Sequence, residues 1–104
     1  MIEHTVIIRS KPESEARVEQ ALEEFDRDLI TSGLNRRWAL RWGQNFHQRS
    51  HARGFSHVLQ VRFEDEADLE RYQRSPEHAT LMPKLDQVAE ERIVVDLFVE
   101  AEVS

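Results

Sequence analysis

The sequence predicts one α+β domain of ferredoxin-like architecture, with four antiparallel strands and the helices on one face, in the order β-α-β-β-α-β. Two observations predict it. Apolar residues alternate with polar ones in short stretches, as in half-buried strands, and recur at helical spacing in the stretches between them. The chain has 104 residues, the length of one domain, so we assign residues 1–104 to a single domain.

The chain begins with a strand and a helix. Residues 4–10 are rich in valine and isoleucine, which predicts the first strand. Residues 12–30 place apolar side chains at helical spacing opposite a run of acidic ones, which predicts an amphipathic helix. Gly33 follows this segment and is a suitable helix end, because glycine readily adopts the left-handed conformation found there.

A second strand and a loop follow. Residues 37–43 predict a strand. One face of that strand should carry Trp38, Leu40 and Trp42. Residues 44–53 are polar and lack a period, which predicts a loop. His47 and His51 lie in it without an acidic neighbour, so we interpret them as solvated residues of a segment that could cover a pocket.

The second half of the chain repeats the pattern. Residues 55–63 predict the third strand, and residues 65–74 predict a short helix. A further helix should begin after Ser75 as N-cap, with proline at its first position, and run to about residue 91. Residues 93–100 predict the last strand.

The two faces of the predicted sheet differ. One is strongly apolar and should lie beneath the helices. The other mixes apolar and charged residues, namely Thr5, Ile7, Arg9, Ala39, Arg41, Val58, Gln60, Arg62, Val94, Asp96 and Phe98. No further segment remains to cover this second face, so we expect a second copy to pack on it, with Asp96 pairing an arginine. A solvated face is the alternative.

Composition excludes several classes of protein. The net charge of −6 disfavours a nucleic-acid or anionic-membrane surface, so neither is expected as a partner. The absence of cysteine excludes disulfides, thiolate catalysis and cysteine-ligated metals. No stretch approaches the roughly 18 apolar residues of a membrane span, and the first residues do not form a signal peptide. We therefore expect a cytoplasmic protein.

His78 and Tyr72 are the candidate catalytic residues. His78 lies in the first turn of a predicted helix, where the positive end of the helix dipole favours the neutral imidazole that a general base requires. Tyr72 could donate a hydrogen bond to a developing enolate. The alternative is structural, with His78 capping or packing the helix and Tyr72 belonging to its apolar face.

Two further histidines lie on the predicted strands. His57 is on the apolar face of the third strand, where a histidine is usually a hydrogen-bonded core residue but could also line a pocket. His4 opens the first strand. Because antiparallel strands begin at opposite ends, His4 and His57 should not both contact His78. We therefore expect no histidine metal site and no cofactor.

The order of elements, together with Trp42-Gly43, residues 54–63 and Ser75-Pro76-Glu77-His78, resembles the stress-responsive dimeric α/β-barrel (Dabb) family. The resemblance covers nearly the whole chain. It implies a homodimer in which two ferredoxin-like sheets form an α/β barrel. Most members have no assigned activity. One is a plant polyketide cyclase that closes a ring by aldol condensation without metal or cofactor.

The resemblance also implies a site. The pocket residues of that cyclase correspond to His4, His57, Tyr72 and His78, with His78 as the general base and Tyr72 beside it. The chain departs from the family at Ser75, where a histidine is frequent. It departs from the cyclase in the first helix, where Phe25 or Asp26 stands in place of a second pocket tyrosine.

We therefore expect a pocket for a small apolar ligand between sheet and helices. Its apolar wall should comprise Phe25, Leu59, Leu81 and Leu85. The expected chemistry is cofactor-free enolisation or aldol chemistry on an apolar carbonyl compound, as in a cyclase, lyase or isomerase. The alternative is a non-catalytic stress-response or structural dimer. A third and weaker interpretation is a haem-binding or oxygen-handling protein.

Overall fold

The computed structural model describes residues 1–47 and 50–100. The strands are β1 (Ile2–Ser10), β2 (Arg41–Gln44), β3 (His57–Phe63) and β4 (Ala89–Phe98), and the helices are α1 (Glu15–Thr31), α2 (Glu66–Gln73) and α3 (Pro76–Val88). This order confirms the predicted ferredoxin-like fold, with α2 and α3 together in the second helical position. Two stretches of the predictions, residues 48–49 of the loop and residues 101–104 of the domain, lie outside the described residues.

The four strands form one antiparallel sheet in the order β2-β3-β1-β4. All three helices pack on one face, because the side chains that β1 and β3 turn toward them are apolar and alternate with half-exposed ones. The hydrophobic core lies between this face and the helices. It comprises Ile2, Val6, Ile8, Val18, Ala21, Leu22, Phe25, Leu29, Trp38, Leu59, Val61, Phe63, Tyr72, Leu81, Leu85 and Val88. No helix in the described part of the chain is long and apolar enough to cross a bilayer.

The second strand is shorter than predicted. Trp38 is fully buried, but it lies in a turn before β2, so it does not share a strand face with Leu40 and Trp42. Backbone hydrogen bonds from Trp38 to Leu34 and from Leu40 to Asn35 hold this turn, and Ala39 has a positive φ of 44°. A turn can bury a tryptophan as fully as a strand does, so alternation alone misplaced it.

The third helix ends earlier than predicted, at Val88 rather than near residue 91. β4 begins at once with Ala89, which pairs with Ser10, while Glu91 and Arg92 pair with Arg9 and Ile8. The helical pattern of the sequence is overridden by this strand pairing, whose register shifts between Arg9 and Ser10 so that Glu90 has no partner on β1.

The predicted orientation of β4 is wrong. Its register pairs Val94 with Val6, Asp96 with His4 and Phe98 with Ile2, so these three residues share the helix-facing side of the sheet. The open face instead receives Ile93, Val95 and Leu97, opposite Ile7, Thr5 and Glu3. Asp96 accordingly pairs with His4 within the same chain, and not with an arginine across the open face.

Candidate functional site

Tyr72 lies at the centre of a cluster of rings between the sheet and α2. Its ring centroid is 4.9 Å from that of His78, 5.5 Å from that of His4 and 5.4 Å from that of Trp38. Phe63 and Phe25 complete the cluster at 5.2 and 6.1 Å. Tyr72 is 1% exposed, and burial raises the pKa of its phenol above the ordinary value. The hydroxyl therefore stays protonated at neutral pH and is a hydrogen-bond donor.

His78 occupies the first turn of α3, which begins where the sequence predicted. The N-cap Ser75 accepts a hydrogen bond from the His78 backbone N–H at 3.2 Å and donates one to the carbonyl of Tyr72 at 2.7 Å. One serine therefore joins the end of α2 to the start of α3 and fixes both candidate catalytic residues at the backbone.

The imidazole of His78 is half-buried, and burial lowers its pKa. Electrostatic interaction with His4 and with Arg92 lowers the pKa further. The pKa shift has the expected direction, but burial is its main cause, whereas the sequence argument relied on the helix dipole. His78 is therefore neutral at pH 7 and can accept a proton.

His4 forms a side-chain hydrogen bond that the sequence analysis missed. Its Nδ1 lies 2.5 Å from Oδ1 of Asp96 on the neighbouring strand, and His4 itself is buried while Asp96 is partly exposed. Because a carboxylate only accepts hydrogen bonds, Nδ1 is the donor and Asp96 orients the ring. Tyr72, His78, His4 and Asp96 thus form one connected group, which we call the His–Tyr cluster.

His57 lies elsewhere, as the antiparallel argument predicted. It pairs with Ile8 on β1, whereas His4 pairs with Val61, which separates the two histidines by roughly 13 Å along the strand. His57 is 1% exposed, and burial lowers its pKa. Its Nδ1 shares a hydrogen bond with the Ser56 hydroxyl at 2.7 Å, and its Nε2 lies 3.8 Å from Glu19. Only Nδ1 is therefore satisfied by a hydrogen bond, whereas Nε2 is buried without a hydrogen-bond partner.

The four residues expected to form an apolar wall are packed in the core. Phe25, Leu59, Leu81 and Leu85 are each at most 2% exposed. Neither they nor His78 and Tyr72 line any of five cavities formed by the described residues. The cavity nearest to the His–Tyr cluster is one of about 560 Å³ between α2 and β4, which Asp96 lines.

No cluster of three metal-ligating side chains occurs in residues 1–47 and 50–100. The site contains a neutral imidazole beside a protonated phenol, and a second histidine, oriented by a carboxylate, also contacts the phenol ring. These groups can perform acid/base chemistry, because His78 can accept a proton and the adjacent Tyr72 can stabilise an oxyanion by donating a hydrogen bond.

The fold and the ring cluster define a ferredoxin-like α+β domain with acid/base groups between sheet and helices. The chain belongs to the Stress responsive A/B Barrel Domain (Dabb) family, whose sequence profile matches residues 2–99. This confirms the resemblance seen in the sequence. No curated protein matches the chain.

Solved structures share the fold over nearly the whole chain. The protein At3g17210 from Arabidopsis thaliana superposes with a TM-score of 0.76 at 17% identity, over 100% of this chain and 99% of that one. A dimeric ferredoxin-like protein of unknown function from Jannaschia sp. gives 0.78 at 21% identity, over 94% and 98%. Hydroxynitrile lyase from Passiflora edulis gives 0.75 at 19% identity, over 99% and 96%. At these identities the likeness concerns the fold.

Proposed function

We propose that this protein binds a small apolar carbonyl compound and moves a proton on it without a cofactor. The observation that carries the proposal is the neutral imidazole of His78, whose ring lies 4.9 Å from that of the protonated Tyr72. A base that is neutral at pH 7 beside a phenol that remains an O–H donor can act on a carbonyl compound at its acidic α-carbon.

In the proposed step, His78 takes a proton from the carbon next to the carbonyl group. The electron pair of that C–H bond forms the C=C bond of an enolate, and the carbonyl π electrons move to oxygen. Tyr72 donates a hydrogen bond to this oxygen, while the His4–Asp96 pair contacts the phenol ring through His4. The enolate either recovers the proton from His78 or attacks a second carbonyl carbon, as in an aldol closure. In the second case the π electrons of that carbonyl move to its oxygen, and the alkoxide takes the proton from His78.

The binding site would be completed by the residues that the sequence analysis assigned to it. Four apolar residues belong to the same hydrophobic core as Tyr72: Phe25, Leu59, Leu81 and Leu85. They can contact a ligand only if the core opens beside Tyr72. His57 would shape the far end of the same interior, beyond Leu59.

Hydrogen–deuterium exchange tests the proposal without knowledge of the substrate. We would incubate the protein with 4-phenylbutan-2-one in deuterium oxide at pH 7 and follow the α-protons by NMR. His78→Ala should lower the protein-dependent exchange rate by at least a hundredfold, because a positioned general base contributes about 10²–10⁴-fold. Tyr72→Phe should lower it by about 10²-fold through loss of the oxyanion donor.

The matched control is His51→Ala, which removes an exposed histidine of the 3₁₀ turn Ser50–Ala52. Exchange that His78→Ala and His51→Ala leave equally fast would contradict the proposed role of His78. Folding of each variant is checked by its melting temperature.

A non-catalytic role is the second candidate, as a stress-response or structural dimer. The observation that favours it is the packing of Tyr72, which is 1% exposed and surrounded by five rings. In that case Tyr72→Phe and His78→Ala would change the melting temperature, and no ketone of a wide panel would exchange faster than in buffer.

We also propose that the protein is a homodimer joined through the open face of the sheet. Ile7 and Val58 are half-exposed there beside the exposed Ile93, Val95 and Leu97. An apolar patch of this kind on an otherwise charged protein is typical of an interface between copies. The Jannaschia structure of the same fold is dimeric, which supports the proposal.

A further inference from the structure

A groove of about 560 Å³ runs between α2 and the edge strand β4. It exists because α2 and α3 cover the centre of the sheet and leave the helix-facing side chains of β4 exposed: Val94 is 56% and Phe98 is 72% exposed. The groove is lined by Ile2, Glu66, Ala67, Leu69, Glu70, Gln73, Asp96, Leu97 and Phe98.

Five of the nine residues that line the groove are apolar. Ile2 and Leu69 belong to the core or pack against it, and Phe98 stands at the edge with 72% of its surface exposed. A volume of several hundred cubic ångströms that combines apolar walls with polar groups is usual for sites that bind small molecules.

The charges of the groove are of one sign. Its polar lining includes the carboxylates of Glu66, Glu70 and Asp96 and contains no basic residue. Glu70 is paired with Arg74 one helical turn later, and both residues also line a neighbouring cavity. An apolar cleft bordered by carboxylates disfavours anions and favours ligands that can donate a hydrogen bond.

Asp96 links the groove to the His–Tyr cluster. Its Oδ1 accepts the hydrogen bond from His4, whose ring lies 5.5 Å from that of Tyr72. Within the described part of the chain no side chain donates to Oδ2 of Asp96, and the residue is partly exposed on the groove side. Oδ2 can therefore accept a hydrogen bond from a ligand, and a ligand carboxylate has no hydrogen to donate to it.

We propose that the α2–β4 groove binds an uncharged apolar molecule through a hydroxyl group that donates to Asp96, and that it excludes carboxylates. This inference rests on the proposed function in one respect, namely that the molecule bound in the groove is the carbonyl compound on which the protein acts. That compound then carries a hydroxyl group and no carboxylate, so it is not a keto acid. The contacts from hydroxyl to Asp96 and from Asp96 to His4 connect such a ligand to the His–Tyr cluster, with His4 between Asp96 and the ring of Tyr72.

Two probes of equal length test the charge selectivity. We would titrate the full-length protein with octan-1-ol and with sodium octanoate at pH 7 and follow backbone amide shifts by NMR. Octan-1-ol should shift the amides of Leu69, Gln73, Leu97 and Phe98 and bind at least about tenfold more tightly than octanoate. Asp96→Asn should weaken octan-1-ol binding and reduce the difference between the two probes, because it removes a charge and an acceptor.

A blocking variant tests the position. Gln73 is exposed at the end of α2 and lines the groove, so Gln73→Trp should fill it and abolish the shifts caused by octan-1-ol. Gln87→Trp is the matched control, since Gln87 is an exposed glutamine in the last turn of α3, outside the groove. It should bind octan-1-ol like the unmodified protein.

Two results would overturn the proposal: octanoate binding as tightly as octan-1-ol, or amide shifts that lie outside the groove or are absent. Binding and ketone exchange are measured separately, so their failures can be told apart. A groove that binds octan-1-ol in a protein that exchanges no ketone refutes the proposed function alone, and exchange without groove binding refutes this inference alone.

Discussion

At the scale of single residues, burial determines the charge of the histidines, and this affects stability as well as chemistry. Burial lowers the pKa of both His57 and His78. In the unfolded chain these histidines titrate near the ordinary pKa of about 6.5. As the pH falls below this value, the unfolded chain therefore binds more protons than the folded chain. The two neutral histidines make their full contribution to the free energy of unfolding at pH values above about 6.5. This contribution is lost as the pH falls from about 6.5 toward the folded pKa of each histidine.

We predict that His57→Gln flattens the dependence of stability on pH between 7 and 5. The variant should be less stable than the unmodified protein at pH 7, because His57 fills a fully buried position. On acidification the variant should lose less unfolding free energy than the unmodified protein, because it lacks one titrating group. The difference in slope is at most about 1.4 kcal/mol per pH unit, the limit for one proton. Urea denaturation at several pH values measures both effects. Parallel pH curves for the two proteins would contradict the prediction.

The individual residues show what the sequence could and could not predict. The separation of His4 from His57 followed from strand polarity alone. The contact between His4 and Asp96 did not, because residues 93–95 are three consecutive apolar residues, so alternation does not determine which of them faces the helices. Only the register against β1 decides it, and that register depends on the whole sheet.

At the scale of elements, the junction between α2 and α3 holds the candidate site together. Both helices begin at capping residues, of which only Ser75 was predicted as a cap: Asp65 accepts a hydrogen bond from the Asp68 N–H, and Ser75 accepts one from the His78 N–H. Such short-range signals were readable in the sequence, because they depend on neighbouring residues only. The turn around Trp38 and the early end of α3 were not readable, because distant packing and strand pairing decide them.

We predict that Ser75→Ala lowers the free energy of unfolding by about 1–2 kcal/mol, the usual effect of losing an N-cap with a second buried hydrogen bond. The same substitution at Ser14 provides a matched control. Ser14 is the N-cap residue of α1, but its side chain makes no capping hydrogen bond. Ser14→Ala should therefore change the unfolding free energy by only a few tenths of a kcal/mol. Equal losses in the two variants would show that the Ser75 side chain does not stabilise the junction.

At the scale of the whole molecule, the open face of the sheet and the edge of β4 remain apolar in a single chain. Val94 and Val95 are consecutive residues of β4 with similar exposure, 56% and 47%, but they face opposite sides of the sheet. This offers a sharp test of the proposed dimer, because the same change can be placed on either face of one strand.

We predict that Val95→Glu converts the dimer to monomers, since a buried unpaired carboxylate in the interface is strongly unfavourable. Val94→Glu places the same charge on the helix-facing side and should leave the dimer intact. Sedimentation velocity at micromolar concentration distinguishes the two outcomes. A dimer that survives Val95→Glu but not Val94→Glu would place the interface on the other side of the sheet.

The strand order has a consequence for synthesis. β1 comes first in the chain but lies in the middle of the sheet, and one of its two neighbours, β4, comes last. While the ribosome is still making the chain, β1 can pair with β3 on one edge but has only open amide and carbonyl groups on the other. Such an edge recruits other strands. Nascent or shortened chains that lack β4 are therefore expected to aggregate and to need chaperones, whereas the finished chain closes this edge itself.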